Sequence, residues 1–257
     1  MYLRDNLIAY KSIVIKEILR FSRIWLQTLI PPAITMGLYF IIFGQLIGSQ
    51  LNSINGYSYM DYIVPGLIIM SIISNSYSNV VSSFYGTKFH HHIEELLVSP
   101  IANITIIAGY VSGGVARGLI VGVIVTIVSL FFTHINIDSY LTTFLIAVLT
   151  AILFSLAGLI NAIFANSFDD ISIVPTFVLT PLTYLGGVFY SIEMLPEFWR
   201  SISLFNPVLY MVNGFRMGML GVSDASLNHA IIIIIGFILL LGTICLWLLN
   251  KGIGIKK

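Results

Sequence analysis

Six stretches of this chain, roughly 25–46, 62–84, 102–132, 140–165, 171–190 and 229–249, are long and apolar enough to cross a lipid bilayer. A helix needs about 20 mostly apolar residues to span the hydrocarbon core. Composition agrees: of 257 residues 58% are hydrophobic and 9% charged, with a mean hydropathy of +0.98. A soluble domain carries about 25% charged residues, and a globule with this composition could not cover its surface with polar groups. An ordinary cytosolic enzyme is therefore excluded, and so is disorder. A formal charge of +1 excludes a nucleic-acid binder. The single cysteine, Cys245, allows neither an intrachain disulfide nor a Cys-based metal cluster. Alternating segments of the kind a β-barrel needs are absent. The fold class is an all-α integral membrane protein, one domain over 1–257 with six transmembrane helices.

Orientation follows from the basic residues. Arg4, Lys11, Lys16, Arg20 and Arg23 precede the first window, Lys88 lies between the second and third, and Lys251, Lys256 and Lys257 follow the last. Nine of the twelve Lys and Arg thus fall on one side, which makes both termini cytoplasmic. Arg200 and Arg216 fall on the other side and Arg117 inside the third window. No small-residue cleavage site follows the first window, so a removable signal peptide is not expected. Residues 1–24 read as an amphipathic helix in the cytoplasmic interface, with Lys16, Glu17, Arg20 and Arg23 at helical spacing. The stretch 191–228 is too short and polar for a seventh span, and reads as a re-entrant or interfacial helical pair on the outer side.

The inner loop 85–101 holds His90, His91 and His92, then Glu94 and Glu95. On a helix His91 and Glu95 share a face, at i, i+4, but the His-Glu-x-x-His order of zinc proteases is missing. No metal site is expected. The loop predicts a short amphipathic helix ending before Pro100, with Ile93, Leu96 and Leu97 toward the bilayer and His91, Glu94 and Glu95 toward the cytosol. In the third window Gly109, Gly113, Gly114, Gly118 and Gly122 form small-xxx-small pairs, which suit close helix packing. Arg117, amid these glycines, has no acidic residue in any span to pair with; it either snorkels to the interface or serves a carbonyl cluster, an anionic lipid or a cargo group. In the fifth window Pro175 and Pro181 remove backbone donors and bend the helix, while Thr176, Thr180 and Thr183 can satisfy freed carbonyls and Asp169 and Asp170 can cap its start. The chain contains no Gly-Lys dipeptide, hence no Walker A phosphate loop. It has no G-x-S-x-G nucleophile elbow either, so no catalytic residue is assigned.

Read in order, the basic amphipathic N-terminus, the spans, the loop Glu95-Leu96-Leu97-Val98-Ser99-Pro100 and the run Pro181 to Tyr190 resemble the membrane subunit of an ABC-2 type transporter. Leu195-Pro196, Asn206-Pro207 and Arg216 continue the match; Gly186-Gly187 stands where the family commonly has Ser-Gly. The resemblance implies a permease of an ABC exporter in a bacterial inner membrane. Its partners would be a second permease copy, two copies of a separate ATP-binding subunit holding ATP and Mg, membrane lipid, and an exported hydrophobic, lipid-linked or glycan cargo. This chain would bind no cofactor. By resemblance, contact with the ATPase falls on Lys16, Glu17, Arg20, Lys88, His92, Glu94, Glu95, Leu96, Leu97 and Pro100. Arg117, Tyr184, Gly186, Gly187 and Phe189 are candidates for the cargo pathway. An ion-driven secondary transporter and a membrane enzyme acting on lipid remain the alternatives, and both are disfavoured by the lack of intramembrane carboxylates.

Overall fold

A computed structural model describes residues 2–50, 54, 56–134 and 136–254. Lys256 and Lys257, which bear on orientation, lie outside the described residues. Among those residues the chain is helical and contains no sheet, only an isolated bridge between Ile54 and Tyr57. In chain order the helices are α1 (Tyr2–Arg23), α2 (Trp25–Thr28), α3 (Ile30–Tyr39), α4 (Tyr59–Phe89), α5 (His92–Val98), α6 (Asn103–Ser129) and α7 (Tyr140–Phe164). There follow α8 (Asp170–Val174), α9 (Thr180–Tyr184), α10 (Glu197–Leu204), α11 (Pro207–Leu220) and α12 (Leu227–Lys251). Among the described residues, five helical runs are long and apolar enough to cross a membrane: Trp25–Gly44, Tyr59–Phe89, Asn103–Ser129, Tyr140–Phe164 and Leu227–Lys251.

Local chemistry sets the boundaries. Ser58 accepts from the Asp61 N–H at 3.2 Å and starts α4; Ser139 does the same for α7 through Thr142. Gly221 and Gly252 close α11 and α12 in the left-handed conformation that costs glycine least. α4 is the axis of the bundle, walled by α6, α7 and α11, and most of its length is buried, including Tyr62, Ile63, Leu67, Ile69, Ile73, Tyr77, Val80 and Phe84. The glycines of α6 divide between two neighbours. Gly109 and Gly113 face α1, whereas Gly114, Gly118 and Gly122 face α4, with Ser155 of α7 also against Gly114. Close packing is thus their role.

The window 171–190 forms a shorter and more bent element than a straight span. Helical backbone runs from Asp170 to Tyr184 through a π-helical segment, Pro175–Leu179, and the chain then turns at Gly187, φ 71°. At 1.5 Å per residue that run covers about 22 Å, against about 30 Å of hydrocarbon. Pro175 frees the Ile171 carbonyl, which Asn161 of α7 reclaims at 3.3 Å. Thr176, Thr180 and Thr183 donate to the carbonyls of Ser172, Pro175 and Thr180, not to those of Ile171 and Phe177 that the two prolines free. Asp170 takes the backbone N–H of Asn166 and both donors of Ser167, while Ser167 accepts the Asp170 N–H, a reciprocal cap. Those bonds hold the Asp170 carboxyl below its ordinary value. Asp169 makes no such cap.

The 191–228 stretch does hold a helical pair, α10 and α11. Of the two, α11 is packed inside the bundle against α4, α7 and α12.

Candidate functional site

Along α4, Ser71, Asn75, Asn79, Ser83 and Thr87 recur every four residues, each beside the next in a stripe that winds slowly around the helix. Each of the last four meets a charged side chain from a neighbouring helix. Lys16 lies 3.4 Å from both the Thr87 hydroxyl and the Tyr110 hydroxyl. Ser83 donates to Glu17 Oε1 at 2.5 Å. Arg20 donates to the Asn79 carbonyl at 2.9 Å and to its side-chain oxygen at 2.8 Å. Arg117 donates to Asn75 Oδ1 at 3.2 Å and to the Thr28 carbonyl at 3.5 Å. The four contacts form a polar ladder between α1, α4 and α6.

The ladder exists because α1 runs beside α6 in the same direction. Asn6 Oδ1 accepts from the Ala102 N–H and the Thr105 hydroxyl, both at 2.8 Å. Ile13 then lies against Gly109 and Glu17 against Gly113, where an added Cβ would come within 2.5 Å of the Glu17 side chain. The helix expected to lie in the interface therefore docks lengthwise on α6, with its acidic residue inward. Glu17 is 0% exposed. A buried carboxylate costs several kcal/mol unless partnered, and Ser83 together with Arg20, 3.3 Å away, supplies the partners. Lys16, 4.0 Å from Glu17, is held below its ordinary pKa chiefly by burial; Glu17 opposes that shift and Arg20 adds to it.

The residues assigned to ATPase contact fall into two groups. Lys16, Glu17 and Arg20 point into the ladder, and Lys88 is also turned inward. Its ammonium donates at 2.7 Å to the carbonyls of Ile163 and Ala165, closing the C-terminal end of α7. His92, Glu94, Glu95 and Pro100 are exposed on or beside α5, which ends at Val98 because the residue before a proline avoids helical backbone. Ile93 is 2% exposed, and Leu96 and Leu97 pack on the core rather than toward a bilayer. The reason is that α5 folds back against the end of α4. His91 precedes the helix with φ 62° and lies 3.1 Å from Glu94. Between α5, the end of α4 and Ala165–Asn166 is a cavity of about 740 Å³, lined also by Tyr85, Phe89, Val98 and Gly254. Among the described residues no group of three His, Cys, Asp or Glu gathers as metal ligands would.

The pathway candidates also divide. Tyr184 and Phe189 stack at 5.8 Å between centroids and meet Tyr39 and Phe43 of the first apolar run, Phe43 lying 4.7 Å from Phe189. Gly186 and Gly187 are buried, against Val208 and Leu209 of α11. The Gly187 carbonyl accepts from Arg216 at 2.8 Å; Arg216 is 0% exposed and lies 4.0 Å over the Tyr62 ring. Arg216 thus fastens the Gly187 turn after α9 to α11. Arg117 belongs to the ladder instead. Sequence reasoning missed Asn75, Asn79, Ser83 and Thr87, whose signal was a four-residue polar period inside an apolar run.

Comparison with known proteins bears on the whole chain. The family model for ABC-2 type transporters matches residues 8–220. The inner membrane transport permease YadH of Escherichia coli strain K12 is 58% identical over 250 residues, covering 97% of this chain and 98% of its own length. YadH of Shigella flexneri matches equally. Nodulation protein J of Neorhizobium galegae is 23% identical over 248 residues, 95% of this chain and 86% of that protein. The match runs from α1 through the ladder and α5 to the Gly187–Arg216 unit, and on it the chain belongs to the ABC-2 type transporter family.

Proposed function

We propose that this chain is the membrane subunit of an ATP-driven exporter in a bacterial inner membrane, with six crossings and both termini cytoplasmic. The bent run after Asp170, completed by the Gly187 turn, is the fifth crossing. Two copies pair, each carrying a separate ATP-binding subunit that holds ATP and Mg. The names of the Escherichia coli and Shigella relatives support the location, and the missing phosphate loop suits an ATPase supplied by another chain. The observation that carries the proposal is α5: its apolar side is anchored on α4 while Glu94 and Glu95 stay exposed. That is the arrangement of an element built to be pushed.

A push on α5 reaches α4 through the His90–His91 turn, and the ladder passes it to α1 and α6. Cargo binding must bias the ATPase reciprocally. The exposed side of the bent run from Asp170 to Tyr184, with Phe177, Val178 and Tyr184, joins the aromatic group around Phe189 in a surface suited to a hydrophobic, lipid-linked or glycan-bearing amphiphile. In Glu95→Arg, loss of a charge-assisted contact, about 1.5–3 kcal/mol, lowers ATPase co-purification about tenfold or more. Glu197→Arg on α10, with the same charge change, keeps the wild-type yield. Equal yields from the two variants would exclude α5 as the docking element.

A further inference from the structure

We propose that Arg20 and Arg117, the two rungs of the ladder nearest the middle of α4, bind the phosphate group of an anionic amphiphile in the inner leaflet. The inference requires the chain to sit in a bilayer, but not that ATP drives it. Its basis is a charge excess with unused donors. Lys16, Arg20 and Arg117 line the seam, and the Glu17 carboxylate meets the first two of them. Glu17 is already bonded to Ser83 and Arg20. Arg117 touches only neutral oxygens, at 3.2 and 3.5 Å. Arg20 Nε, Arg117 Nε and Asn79 Nδ2 are buried donors with no partner among the described residues. A guanidinium in a membrane seeks an anion, and forked donors match phosphate oxygens.

Geometry supplies the spacing and the depth. Arg117 and Arg20 are held by Asn75 and Asn79, one turn apart on α4, about 6 Å along the axis. Phosphate oxygens can bridge that distance. Arg117 is about 18 Å from the Ser129 end of α6, and Asn75 about 24 Å from the Tyr59 end of α4. With those two ends at the outer edge of a core of about 30 Å, both residues fall past its middle, on the side of α5. The seam is open on one side: the Arg20 side chain is 29% exposed. Beside it the helix breaks at Ile24, φ −114° and ψ 35°, between α1 and α2. Basic clefts between membrane helices on the cytoplasmic side are suited to anionic headgroups.

The test is thermal unfolding of the purified full chain in neutral detergent, titrated with dihexanoyl phosphatidylglycerol, dihexanoyl phosphatidylcholine or sodium pyrophosphate. Phosphatidylglycerol should raise Tm saturably and phosphatidylcholine should not. A rise with phosphatidylglycerol alone assigns the site to a membrane lipid, whereas a matching rise with pyrophosphate assigns it to a diphosphate-headed amphiphile. Arg117→Gln should weaken the midpoint at least tenfold. Asn75→Asp puts a carboxylate beside Arg117 without removing a cation, so it should keep the fold and abolish the response even if Arg117→Gln does not fold. Arg23→Gln, at the exposed end of α1, should respond as wild type. Equal shifts from the two lipids, or a wild-type response in Asn75→Asp, would overturn the proposal.

Discussion

Glu17 carries a formal charge at 0% exposure, and what it touches decides whether that charge stabilises or strains the bundle. Its oxygens are taken by Ser83 at 2.5 Å and Arg20 at 3.3 Å, so the ion is both paired and hydrogen-bonded. Glu17→Gln keeps the shape and removes the charge. It should lower unfolding free energy in mixed micelles by about 1.5–3 kcal/mol, the range for hydrogen bonds to charged groups. Ser83→Ala should then cost less in the Glu17→Gln background than in wild type, because the two side chains share one bond. Additive effects would mean that the contact contributes nothing. Arg216 is the corresponding fixture on the other side of α4. It is fully buried, stacked over Tyr62, and bonded to the carbonyl of a turn that only a left-handed Gly187 makes.

At the scale of elements, α1 stays on α6 because two glycines leave it a slot. A Cβ at Gly113 would stand 2.5 Å from Glu17 and one at Gly86 would meet nothing within 4 Å. Gly113→Leu should therefore lift α1 and speed tryptic cleavage at Lys11 and Arg20, whereas Gly86→Ala should leave the digestion pattern unchanged. Equal protection in both variants would contradict the docking. The long helices were legible because length and apolarity alone specify them, and α5 because Pro100 ends it. Packing was harder to read. An apolar window does not distinguish a straight span from a bent helix plus a turn, so the shortness of 170–184 was hidden, although Pro175, Pro181 and Gly186-Gly187 marked its bends. The facing of α1 was hidden for a related reason: Lys16, Glu17 and Arg20 look like a solvated face until the polar period of α4 is set beside them. Likewise Lys88, a basic loop residue by sequence, becomes a cap once Ile163 and Ala165 come within 2.7 Å.

At the scale of the whole molecule, polar connections at both ends of α4 hold a largely apolar bundle. The ladder ties α1 and α6 to α4 at the end that leads into α5, and the Arg216 unit ties α9 and α11 to α4 near its start. Among the described residues α4 is the element that takes part in both, which under the proposed function makes it the natural carrier of motion from a driven inner face to an outer face. This division follows from the charges: with 9% charged residues, the chain places its buried ions where helices must hold register. Under the proposed function the driving subunits are separate proteins. Native mass spectrometry of the tagged chain, isolated gently from its own cells, tests it directly. The account predicts a complex of two copies of this chain with two ATP-binding subunits, which Glu95→Arg dissociates. A chain that purifies without an ATPase and still moves cargo on an ion gradient alone would contradict it.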